Sequence, residues 1–95
     1  IHSKEKTPKE IFQFAKLYKK FNSVIPLVCV PSTYSQTKEK LLIKNGFKIV
    51  IYANHMLRAA HPAMENVAKS ILMNNRAKET EKNLSSIKKI IKLIE

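Results

Sequence analysis

Three short polar segments hold the side chains best suited to chemistry. They are His2-Ser3-Lys4, Pro31-Ser32-Thr33-Tyr34, and Asn54-His55 with Arg58. Each follows an apolar run of strand length, or stands where one would end. In parallel sheets and barrels that is where active-site residues collect. His2, Ser3, Tyr34, Asn54 and Arg58 are therefore the candidate substrate-binding residues. The same residues have plainer structural uses. Tyr34 and Thr33 suit a packed rim, Asn54 and His55 suit loop hydrogen bonds, and His61-Pro62 reads as a surface turn.

Other chemistries lack their parts. A single glycine, Gly46, rules out a glycine-rich phosphate loop. One cysteine and three scattered histidines give no zinc spacing. All seven acids are glutamates, so an Asp-ligated metal has no ligand here and no metal-binding residue is assigned in this segment. No nucleophile elbow or pair of carboxylates at adjoining strand ends is present. Cys29, between Val28 and Val30, reads as a buried structural thiol, and Met56, Met64 and Met73 as core or interface filler.

The elements that must position these groups can be read in order. Thr7-Pro8-Lys9-Glu10 combines a capping box with proline at the first helical position, and Ile11, Phe14, Ala15 and Tyr18 form one apolar stripe behind it. Asn22-Ser23 ends that pattern. Residues 24–30 and 47–53 are short, apolar and β-branched, as expected of strands buried on both faces of a parallel sheet. Between them Thr37 should cap a short helix that Gly46 closes. A long helix is expected from Met56 to Asn74, a polar linker from Asn75, and a last helix capped by Ser85-Ser86. The order indicates right-handed β-α-β crossovers.

With 95 residues and a formal charge of +11, the chain fits one small domain without room for a large enclosed site. Sixteen of the eighteen basic residues are lysine, which argues against base-specific nucleic-acid recognition. No apolar run approaches the roughly 20 residues of a membrane span, nothing resembles a signal peptide, and a lone cysteine suits a reducing, cytoplasmic setting. Two strands cannot close a parallel sheet. Residues 1–95 are thus expected to form part of an α/β barrel domain, two parallel strands alternating with helices plus trailing helices, with 75–95 as polar linker and terminal helix.

The strings Ile-His-Ser-Lys (1–4), Val-Pro-Ser-Thr-Tyr (30–34) and Ile-Tyr-Ala-Asn-His-x-Leu-Arg-Ala (51–59) resemble the C-terminal third of the phosphoenolpyruvate mutase family. The resemblance covers essentially the whole chain. It implies a (β/α)8 barrel of the isocitrate lyase and phosphoenolpyruvate mutase superfamily, interconversion of phosphoenolpyruvate and phosphonopyruvate, and Mg2+ held by ligands outside this segment. It also implies a homo-oligomer with a swapped helix around 56–74, and that His2 faces the phosphoryl group, where an imidazole N–H can stabilise charge. These 95 residues alone are then expected to show no turnover. Phosphonopyruvate hydrolase, or another superfamily lyase, is the near alternative; the mutase is preferred on Ala53-Asn54-His55 and Met56-Leu57-Arg58. The alternative of another class is a basic nucleic-acid-binding or protein-interaction module.

Overall fold

The computed structural model describes residues 1–21 and 24–95, so the break read at Asn22-Ser23 lies outside the described residues. The elements are α1 (Lys9–Phe21), β1 (Leu27–Cys29), α2 (Glu39–Lys44), β2 (Phe47–Val50), α3 (His55–Asn74), a 3-10 helix (Lys78–Asn83) and α4 (Ile87–Ile91). They form two compact units, residues 1–54 and 55–95.

In the first unit β1 and β2 pair in parallel, Leu27 opposite Phe47, Val28 opposite Ile49 and Cys29 opposite Val50, with an irregularity after Leu27. The expected β-α-β arrangement is present, but both strands are shorter than the apolar runs that announced them. Pro26 has no N–H to give the ladder, so β1 starts at the next residue. Past β2 the ladder gains one more bond, from the Ile51 N–H to the Cys29 carbonyl at 2.9 Å.

Ile11 and Ala15 of α1, Leu42 of α2, Cys29, Phe47 and Tyr34 close a core. Burial on both sheet faces does not hold within this chain. Phe47 is fully covered, whereas Ile49 is 47% exposed and Ile51 44%. The core built by α1 and α2 covers only part of a two-stranded sheet, leaving Lys48 and Ile49 of β2 open while Val50 packs partly against the core.

Helix α2 differs from its expected cap: Lys38 is the N-cap, with no side-chain hydrogen bond, while the Thr37 N–H turns back to the Tyr34 carbonyl at 3.0 Å. Its end is as expected. Gly46 has φ +99°, a left-handed conformation that glycine adopts without a Cβ penalty, and its N–H bonds to the Ile43 carbonyl at 3.0 Å.

In the second unit α3 runs through His61 and Pro62, so these residues are helical and not a turn. A proline here deletes only one helical hydrogen bond, the one to the Arg58 carbonyl, and the flanking turns carry the helix past it. No residue of α3 is buried; Met56 is 85% exposed and Met73 83%. Asn75 takes the left-handed conformation after the helix, at φ 52°. The polar stretch that follows is ordered as one 3-10 segment. Its Thr80 is buried and donates its hydroxyl to the Ala77 carbonyl at 2.6 Å. Ser86 caps α4, its Oγ accepting the Lys89 N–H at 3.2 Å.

Candidate functional site

Residues 1–3 run alongside β1. The Ile1 backbone nitrogen donates to the Val28 carbonyl at 2.6 Å, and the His2 Nδ1 lies 3.3 Å from the Val30 carbonyl. The tautomer with its proton on Nδ1 donates there and leaves Nε2 as an acceptor. His2 is exposed, its ring beside Val30 just past the C-terminal end of β1.

Ser3 is placed differently. It is buried, its Oγ donates to the Glu10 carboxylate and accepts the Glu5 N–H at 3.0 Å, and its carbonyl accepts from the Thr33 hydroxyl at 2.6 Å. Side chain and carbonyl are both committed to holding the loop. Glu10, read from sequence as the capping-box partner of Thr7, here reaches back to Ser3.

The loop after β1 is fastened to the same segment a second time, by Gln36 Nε2 donating to the Lys6 carbonyl at 3.2 Å. Thr33 and Gln36 are thus the residues that fix the chain bearing His2. The sequence gives Thr33 only a place in a packed rim and does not single out Gln36, because both bonds span thirty positions. Within this loop Tyr34 is fully buried among Ile11, Cys29 and Phe47. Among the described residues its hydroxyl has no hydrogen-bond partner of good geometry, though the Val30 backbone lies close enough to act on it. Burial pushes the Tyr34 phenol up, and the neighbouring Cys29 adds to the effect. Burial likewise pushes the Cys29 thiol up, which leaves it a packing residue.

After β2, the Tyr52 hydroxyl donates to Glu39 Oε1 at 2.7 Å, tying this segment to the first turn of α2. That bond to the carboxylate pushes the Tyr52 phenol up. Asn54 is exposed and ends the first unit; the second begins with half-buried His55, and Arg58 is exposed in the first turn of α3. The structure therefore brings His2, Ser3 and Thr33 together at one strand end, with Tyr34 beneath in the core, while Arg58 belongs to the other unit.

Among the described residues no three His, Cys, Asp or Glu side chains gather as a metal-binding group. The residues present do not fit a magnesium site. No helix among the described residues is long and apolar enough to cross a membrane.

No family model matches the sequence. Individual proteins do. Phosphonopyruvate hydrolase of Variovorax sp. (strain Pal2) is 39% identical over 98% of this chain, and phosphoenolpyruvate phosphomutase of Tetrahymena pyriformis is 31% identical, also over 98%. Over its whole length the chain is similar to phosphoenolpyruvate mutase. The crystal structure of phosphoenolpyruvate phosphomutase from Streptomyces platensis subsp. rosaceus superposes on 98% of the chain with a TM-score of 0.84 at 30% identity. A phosphonopyruvate hydrolase in complex with oxalate and Mg2+ superposes with a TM-score of 0.80 at 39% identity. The chain spans about 30% of the length of these relatives: 31% of the hydrolase and 30% of the Tetrahymena mutase.

Proposed function

We propose that this chain is part of an enzyme that makes or breaks the carbon–phosphorus bond of phosphonopyruvate. The observation that carries this reading is the match to both a mutase and a hydrolase over 98% of the chain. The mutase would interconvert phosphoenolpyruvate and phosphonopyruvate; the hydrolase would release pyruvate and phosphate. The runs Ala53-Asn54-His55 and Met56-Leu57-Arg58 favour the first, while the 39% identity to the hydrolase, against 31% to the Tetrahymena mutase, favours the second. Either way the two parallel strands with their helices are proposed to be the C-terminal third of a (β/α)8 barrel, and Mg2+ would be held by other parts of it.

In this reading His2 stands at the barrel mouth and donates to the phosphoryl group through Nε2–H of the ring protonated on both nitrogens, Nδ1–H staying on the Val30 carbonyl. Asn54 and Arg58 are proposed to touch substrate as well. Ser3 and Tyr34 are proposed to act by position, Ser3 through its bonds to Glu10 and Thr33 and Tyr34 from its place in the core. The exposed Met56, Leu57, Leu72 and Met73 of α3 support a helix that packs on a second subunit. Light scattering that finds a folded monomer of the full-length protein rejects that packing.

Phosphorus NMR of the full-length protein with phosphonopyruvate and Mg2+ tests the activity. A phosphoenolpyruvate signal supports the mutase and inorganic phosphate the hydrolase; an unchanged spectrum rejects both. His2→Ala should lower kcat by a factor on the order of 10² to 10⁴ if the imidazole acts on the transferring group.

A further inference from the structure

The chain's excess charge is unevenly placed. Residues 1–54 hold ten lysines, three glutamates and no arginine. Two of those acids are engaged nearby, Glu10 by Ser3 and Glu39 by Tyr52. Every ion pair among the described residues falls instead in residues 55–95: Lys69 with Glu65, Arg76 with Glu79 and Lys78 with Glu81.

Two adjoining clefts of the first unit gather four of the unpaired lysines. A cleft of about 500 Å³ is lined by Lys16, Lys19 and Lys44 beside Gly46, and one of about 280 Å³ shares Lys19 and Gly46 and adds Lys48. No acid lines either cleft. Both lie where β1 and β2 begin, at the end of the sheet opposite His2. The floor at Gly46 is open, since a Cβ there would meet nothing within 4 Å.

Helix dipoles account for part of this arrangement, because Lys19 and Lys44 occupy last turns, where cations are favoured. They do not account for Lys16 in mid-helix or Lys48 on β2. We propose that the double cleft binds a short linear polyphosphate. Lysine ammonium groups act as point charges on phosphate oxygens, without the fork that arginine offers to planar groups. A nucleic acid fits less well: of the aromatic residues lining the clefts, Tyr18 is already stacked on Phe14 at 5.7 Å and Phe12 is packed against the core, so neither is a free platform for bases.

Calorimetric titration of the full chain with inorganic tripolyphosphate tests this. Saturable binding that weakens with added salt is expected. Lys16→Gln with Lys44→Gln should weaken it roughly tenfold, whereas Lys88→Gln with Lys92→Gln, which removes equal charge from the other unit, should change it less than about twofold. Lys48→Gln alone, outside the helices, should cost a few-fold and keeps the test independent of helix stability. Absence of saturable binding, equal losses in the two double variants, or tighter binding of a single-stranded oligonucleotide of the same charge overturns the proposal.

Discussion

The two units solve opposite halves of the folding problem. Residues 1–54 bury Ile11, Cys29, Tyr34, Leu42 and Phe47 and leave their lysines unpaired. Residues 55–95 hold three ion pairs between neighbouring turns and leave apolar side chains open, with no buried residue on a twenty-residue helix. Exposed ion pairs contribute little, about 0–1 kcal/mol each, so the second unit gains its order mainly from local helical bonding. The first unit therefore has the stability to hold a site; the second has the surface to be held by something else.

Core truncation should show the contrast most strongly. Phe47→Ala is expected to cost about 3–5 kcal/mol in denaturant unfolding, against less than about 0.5 kcal/mol for Met73→Ala. Equal costs would mean that α3 is packed in solution, and the contrast would fail. Next in size, Gly46→Ala should cost about 1–2 kcal/mol from its positive φ alone, with no clash to relieve.

Smaller again is the loop that carries His2. Thr33→Val, which removes the hydroxyl donated to Ser3, should cost about 1 kcal/mol, and Thr33→Ser should restore most of it. If both variants behave alike, the bond does not hold the segment.

A pH series should separate the units further. Cys29 and Tyr34 are both pushed up by burial. As pH rises through the ordinary thiol range near about 8.5, the unfolded chain ionises and the folded one does not, so stability should fall there. Cys29→Ala should flatten that alkaline decline. The smallest effect belongs to Glu79, whose carboxyl is held below its usual range by the Arg76 hydrogen bond. Its contribution is present above the ordinary carboxylate range and lost as pH falls through the lowered value. Arg76→Ala should raise the Glu79 midpoint in an NMR titration while leaving the thermal midpoint nearly unchanged.

Much of the first unit is legible in the sequence because its signals are local. Apolar β-branched runs announce both strands, and one glycine in the right place announces the end of α2. The strand ends are harder, since Pro26 trims one strand from inside an otherwise uniform run. Glu10 misleads because a capping box and a bond to Ser3 both satisfy its carboxylate, and only the path of residues 1–6 decides between them. Tyr34 is ambiguous by its nature: an aromatic ring with a hydroxyl suits a core or a substrate equally well, and the surrounding helices choose the core. His61-Pro62 reads as a turn from its dipeptide, while the helical periodicity on either side prevails in the structure.

Pro62 leaves α3 with a seam. Having no amide hydrogen of its own, it frees the Arg58 carbonyl, and openings of the helix should begin there and spread outward. Hydrogen exchange should accordingly divide the helix into two kinetic blocks meeting near residue 62, the one bearing Arg58 exchanging faster. The guanidinium proposed to reach substrate would then ride on the shorter, looser piece.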